Sequence, residues 1–318
     1  MTTDRDAEDE YFLTEVCWHY YVNEMTQSEI AGSLGVTRLR VNQAIQQAKS
    51  NGMVKVQIES RALPRMELQT ALCEKYNLKN AVVALANRES YDYHLAVGAA
   101  LASYLSESIK ANDWKKIGVS WGVTLQNAIN KMLRQSLPDR EIITLMGGTS
   151  KGANFNTFSI ASGFAERLGA SYSLLAAPIF LSPDVDRESF LAQDFFADHF
   201  QKFHELDAVI LTASNISSLS YLVNMGLPHK INEETLVGYG AIGDVVGRFL
   251  DSRGMPVSTE LDSCTIGIEL DVLEKVNDRI LAAAGEHKVR VIHAALSRGI
   301  ANILVTDDVT AEKLLEME

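Results

Sequence analysis

Ile117-Gly118-Val119-Ser120-Trp121-Gly122-Val123-Thr124 passes from a short apolar strand, through a glycine turn, into a helix that begins near Thr124. Small and hydroxylic residues at such a junction suit a backbone that must turn sharply and leave its amides open. In a parallel sheet this turn lies at the carboxyl end of a strand, where ligands bind, and a helix start presents free amides to an anion. Working outward, short apolar strands are expected at 81–86, 116–120, 141–146, 172–176, 208–213, 265–269, 280–284 and 302–305. Helical stretches fall between most of them. That alternation predicts βαβ units and an α/β fold with a largely parallel sheet.

Further stretches share the chemistry of the first. Leu145-Met146-Gly147-Gly148-Thr149-Ser150 is a second glycine turn with hydroxyls. Ala284-Gly285-Glu286-His287-Lys288 opens a helix carrying Val291, Ile292 and Leu296. A lysine in a first helical turn is electrostatically misplaced, because cations are disfavoured at the positive end of the helix dipole. A bound phosphate would account for Lys288; a solvated side chain is the plain alternative. Between 238 and 251, Asp244 could accept bonds from sugar hydroxyls or simply cap a helix.

The first sixty residues have a different character. Residues 1–9 suggest a frayed tail, after which Phe12, Val16 and Tyr20 form one apolar helical stripe. Thr26-Gln27-Ser28-Glu29 fits a capping box, Gly35 supplies a left-handed turn, and Thr37 can cap a third helix. Val41, Ala44, Ile45 and Ala48 give that helix its buried edge, leaving Arg38, Arg40, Asn42 and Gln43 away from the core. Arginine can pair with guanine and asparagine or glutamine with adenine, and no carboxylate stands between Thr37 and Ser50 to repel phosphates. A winged helix-turn-helix follows as the expectation, with Thr26, Gln27, Thr37, Arg38, Arg40, Asn42 and Gln43 at the DNA. Residues 53–58 would form a wing strand.

Bulk properties agree. A chain of 318 residues with 47% hydrophobic and 22% charged residues is a globular chain long enough for two domains. We expect a helix-turn-helix domain at 1–58, a helical linker at 59–80 and an effector domain at 81–318. The net charge of −12 discourages nonspecific DNA association. Yet residues 26–52 hold one acid, Glu29, against Arg38, Arg40 and Lys49. Apolar runs such as 142–146 and 172–180 are too short to span a membrane, and no export signal is visible, so a cytoplasmic location is expected. Cys17, Cys73 and Cys264 lack metal-ligand spacing, as do the histidines; neither metal nor cofactor is expected.

Taken together, these stretches resemble the SorC family of sugar-binding bacterial transcription regulators over essentially the full length. The matching residues are 25–31 with Leu34-Gly35-Val36, then 118–124, Gly147-Gly148, 240–244 with Phe249 and Asp251, Gly285 with Lys288, and 304–308 with Ala311. The resemblance implies an effector domain similar to sugar-phosphate isomerases, without their catalysis. It also implies homodimers or homotetramers on double-stranded, palindromic operator DNA. A small phosphorylated sugar or polyol would bind around Ser120, Gly122, Thr124, Gly147, Gly148, Thr149, Asp244 and Lys288. The family usually has two glycines before the lysine motif, and here Ala284 replaces the first. The competing expectation is an isomerase-like enzyme with an appended DNA-binding domain, for which Asp244 would be the candidate base.

Overall fold

Seven strands run parallel in one sheet: β1 (Asn80–Ala84), β2 (Lys116–Val119), β3 (Glu141–Thr144), β4 (Ser171–Ser173), β5 (Ala208–Leu211), and, beyond a second sheet, β9 (Asp278–Ala282) and β10 (Ile303–Asp307). Their order is β1-β10-β9-β5-β2-β3-β4. All four residues of β5 and all five of β10 are buried, as expected of a parallel sheet covered on both faces. From β2 the chain proceeds to β3 on one side, whereas β5 leads on to β9 on the other. The crevice at the carboxyl ends of β2 and β5 is therefore the switch point of the sheet. The computed structural model describes residues 4–54, 63–149, 156–182, 184–217, 220–228 and 231–318.

The second sheet is antiparallel and consists of β6 (Ala213–Asn215), β7 (Gly243–Val245) and β8 (Arg248–Leu250). It begins where the chain leaves β5 at Thr212. Val246 and Gly247 join β7 to β8 with φ of 50° and 79°, the two-residue turn that matches strand twist. A valine in the left-handed region is strained by roughly 1–2 kcal/mol. Asp244 is thus a strand residue in the middle of this sheet, which corrects the helix-cap alternative. Residues 265–269 also depart from expectation. They form only isolated antiparallel bridges, Thr265 with Phe180 and Gly267 with Met146, and so add no strand to the parallel sheet.

Helix α5 (Tyr93–Ala111) crosses to pack along α6 (Val123–Lys131), and Gly98 permits the approach. A Cβ there would lie 2.6 Å from Cβ of Asn127 and 3.1 Å from the carbonyl oxygen of Thr124. α7 (Thr157–Leu168) covers β3. At the start of this unit, α4 (Leu63–Tyr76) buries Leu72 completely in the same core. The Tyr76 hydroxyl lies 2.9 Å from the Leu314 carbonyl, to which it donates.

The chain divides into two units, Met1–Leu63 and Pro64–Glu318. The smaller contains α1 (Asp4–Tyr21), α2 (Gln27–Ser33) and α3 (Arg38–Ser50). α1 starts earlier than the expected tail allows, because residues 4–10 contain no glycine or proline to stop a helix. Leu13, Val16, Ile30, Val41, Ala44 and Ile45 make its core, with Phe12 and Tyr20 packed at the margin. Both sides of the capping box are present: Glu29 N donates to the Thr26 hydroxyl at 3.3 Å, and Thr26 N to the Glu29 carboxylate at 2.8 Å. Gly35 has φ of 65°, and Arg40 N donates to Thr37 Oγ1 at 3.2 Å. Residues 55–58 of the expected wing lie outside the described residues.

Candidate functional site

At the switch point, Ser120 is buried and its hydroxyl accepts from Thr212 N at 3.1 Å. The Thr212 hydroxyl donates to the Trp121 carbonyl at 2.7 Å. These bonds pin the end of β2 to the point where the chain leaves β5. Gly122 then adopts φ of 128°, a backbone that favours glycine, and α6 starts with no side chain capping it. The first-turn amides of Val123, Thr124 and Leu125 have no intrahelical partner.

Lys288 is connected to this helix start through His94, which feels its charge and meets Thr124. It occupies the cap position before the helix Val289–Arg298, after the 3-10 turn Glu286–Lys288, one step earlier than the sequence suggested. It is partly buried, with its ammonium 5.3 Å from the centroid of the Tyr93 ring. Among the described residues its ammonium has no hydrogen bond or ion pair, while its backbone N donates to Gly285 O at 2.9 Å. Burial pushes its pKa down to about 8, against the pull of Asp244.

Asp244 is buried, and its two oxygens accept from Ser214 Oγ at 3.0 Å and Gly247 N at 3.2 Å. Desolvation raises its pKa to about 6, while those bonds and Lys288 pull the other way. β7 packs against the helix that follows Lys288, and the carboxylate and the ammonium each act on the other's charge. A carboxylate, a cation without a counterion and an uncapped helix start are groups that can receive hydroxyls and an anion.

The other sequence candidates divide. The amides of Gly147 and Gly148 are committed, to Ile266 O and Ala177 O, both at 2.9 Å. Gly285 N likewise donates to Thr310 Oγ1 at 2.8 Å. Neither Gly147 nor Gly148 therefore offers a free amide, and Gly147 is required by close packing, since a Cβ there would lie 2.6 Å from the Ala177 and Pro178 carbonyl oxygens. Thr149 reaches the crevice through Tyr221: their hydroxyls are 2.8 Å apart, and the Tyr221 ring stands edge-on to Trp121. Ser150 of that turn lies outside the described residues.

Four residues were missed: Tyr93, His94, Thr212 and Ser214. His94 Nδ1 is 2.9 Å from Thr124 Oγ1. The loop leading to it is tied down by Asp307 and Asp308, which accept from Tyr91 OH and Arg88, both at 2.8 Å. A helix cap at Asp92 was legible, but nothing local shows that α5 carries its first turn over α6.

In the small unit, Arg38 and Gln43 are exposed, Asn42 and Gln27 are partly buried, and Thr26 and Thr37 serve as caps. Arg40 differs from expectation in that its guanidinium lies 4.8 Å above the Phe12 ring. Among the described residues no His, Cys, Asp or Glu cluster could hold a metal, and no helix is long and apolar enough to cross a membrane.

With this geometry in place, comparison with known proteins is specific. The family model described as "Putative sugar-binding domain" matches residues 60–316. The erythritol catabolism regulatory protein EryD of Brucella abortus (strain 2308) is 29% identical over 311 residues, covering 98% of each chain. The deoxyribonucleoside regulator of Bacillus subtilis (strain 168) is 29% identical over 320 residues, covering 98% of this chain and 99% of its own. The full-length sorbitol operon regulator SorC from Klebsiella pneumoniae superposes with a TM-score of 0.70 at 25% identity, over 96% of this chain and 99% of that one. The chain belongs to this sugar-binding-domain family. Within it, the chain is a member of the SorC group of bacterial transcription regulators.

Proposed function

We propose that this protein regulates transcription of a carbohydrate or polyol catabolic operon, with operator affinity set by a small phosphorylated sugar or polyol. It is a regulator and not an enzyme, in keeping with the relatives that match it end to end. Residues 1–58 are the winged helix-turn-helix, α3 being the helix that enters the major groove. The segment 59–80 joins it to the effector domain, 81–318. Arg38, Asn42 and Gln43 read bases, while Thr26, Gln27, Thr37 and Arg40 position the unit on the backbone. The protein acts as a homodimer or homotetramer whose half-sites lie about one helical turn apart, or a multiple of it.

The observation that carries the effector reading is Lys288, a partly buried ammonium without a counterion whose charge acts on His94, the residue in contact with Thr124 in the first turn of the uncapped helix α6. A phosphate bound there gains charge-assisted bonds from both the ammonium and the helix start. Asp244 and Thr124 receive sugar hydroxyls and phosphate oxygens, with Ser120, Gly122, Gly147, Gly148 and Thr149 shaping the walls. The test is a thermal-shift series on the full chain with polyols, sugars and their phosphate esters, since a ligand of the native state raises the melting temperature. A phosphate ester should stabilise the protein where its parent alcohol does not. Stabilisation by the parent alone would remove the phosphate from the proposal.

A further inference from the structure

The contact of His94 with Thr124 is one part of a specific set of surroundings. Asp92 caps α5 by accepting from His94 N at 3.1 Å and Leu95 N at 3.3 Å. The imidazole lies on Tyr93, ring centroids 4.1 Å apart, and its Nδ1 meets the Thr124 hydroxyl. Nε2 has no partner among the described residues. Burial, reinforced by Lys288 and His287 and opposed by Asp92, pushes the imidazole pKa down to about 4. The ring is therefore neutral near pH 7, with one N–H to place on either nitrogen.

The two placements have different consequences. With the proton on Nδ1, His94 donates to Thr124 Oγ1, the threonine O–H is released toward the start of α6, and Nε2 is left as an acceptor. With the proton on Nε2, the threonine donates to Nδ1 and turns a lone pair toward the helix start. An anion on the first-turn amides is repelled by that lone pair and favoured by the O–H. It therefore selects the first form.

We propose that His94 is a positioning residue for the effector: an anion at the start of α6 fixes its Nδ1–H tautomer, which aims the Thr124 hydroxyl at the anion and leaves Nε2 to accept an effector hydroxyl. The effector class that follows is a phosphate ester with a hydroxyl close to the ester. This rests on the reading of α6 and Lys288 as the phosphate subsite. Gly98, one turn along α5, holds the two helices close enough for the contact. An asparagine at 94 retains a side-chain N–H near the Nδ1 position but has no Nε2, whereas phenylalanine retains the ring and neither nitrogen.

The test uses the full-length protein with 15N-labelled histidine and inorganic phosphate as probe. Long-range proton–nitrogen correlations identify the tautomer, His94→Asn assigns the signal, and the amides of Val123, Thr124 and Leu125 report occupancy. Phosphate should move those amides and place the His94 proton on Nδ1. His94→Phe should weaken phosphate binding severalfold, because the Thr124 hydroxyl remains but loses the N–H that aims it, and His94→Asn should restore most of it. An Nε2–H ring in the phosphate-bound protein, or unchanged phosphate affinity in His94→Phe, overturns the role of His94 and leaves the phosphate subsite intact. Amides and Lys288 unmoved by millimolar phosphate overturn the subsite and this inference together.

Discussion

Asp244 and Lys288 carry opposite charges that act on one another and yet form no ion pair. Burial drives the carboxyl up to about 6 and the ammonium down to about 8, so each is held charged at a desolvation cost. A ligand that bridges them, hydroxyl to one and phosphate to the other, recovers that cost on binding.

The carboxylate gives a signed pH dependence. Because the folded pKa of Asp244 is raised, the native state binds the proton more tightly than the unfolded chain between about pH 4 and pH 6, and stability falls as pH rises through that window. The penalty is complete above it and amounts to about 3 kcal/mol for a shift of this size. Asp244→Asn should lack this fall. Urea denaturation of both proteins across the window checks it, and parallel stability profiles would contradict the assignment.

Lys288→Met keeps the aliphatic stem near Tyr93 and removes the charge. The free protein should melt at the same temperature or slightly higher, since an unfavourable helix-dipole contact of roughly 0.3–1 kcal/mol is removed. Stabilisation by phosphate esters should be lost. A marked drop in the melting temperature would show that Lys288 is held for structure.

On the small unit, Arg38→Ala and Gln43→Ala should each weaken operator binding by about 1–3 kcal/mol, the range for a bidentate base contact. Arg40→Ala should cost less affinity, because its guanidinium already rests on Phe12. Gel-shift titration with a duplex selected from random sequence gives the comparison. Unchanged affinity in the Arg38/Gln43 double variant would remove α3 from the interface.

Gly98→Ala tests the helix contact that builds the crevice. The added Cβ would press on Asn127 and on the backbone of α6, and overpacking of this kind destabilises by about 1–3 kcal/mol. Thermal unfolding of the variant measures it, and wild-type stability would mean that α5 and α6 can separate freely.

What the sequence disclosed follows the range of the interactions. The 117–124 turn and the Thr26–Glu29 box were legible because strand, turn and cap are neighbours in the chain. The β7–β8 hairpin was hidden because its turn is Val246-Gly247 in place of an asparagine or aspartate before glycine. Residues 265–269 have the apolar content of a strand, and only tertiary packing decides that they bridge Phe180 and Met146. His94, Thr212 and Ser214 were beyond reach for a related reason. They join the site through the order of strands and the crossing of α5 over α6, which no local pattern encodes. Gly147 and Gly148 fit a ligand turn locally, but Ile266 and Ala177 take their amides.

The most direct test is operator affinity itself, measured by fluorescence anisotropy of a labelled duplex while a polyol phosphate and its parent polyol are titrated into wild-type protein and Lys288→Met. The phosphate ester should change the apparent affinity of the wild-type protein by about tenfold or more, a coupling of 1.4 kcal/mol or above. It should leave Lys288→Met unaffected, and the parent polyol should be inert with both. An equal response of the two proteins to the ester, or a response to the parent polyol alone, would contradict the account.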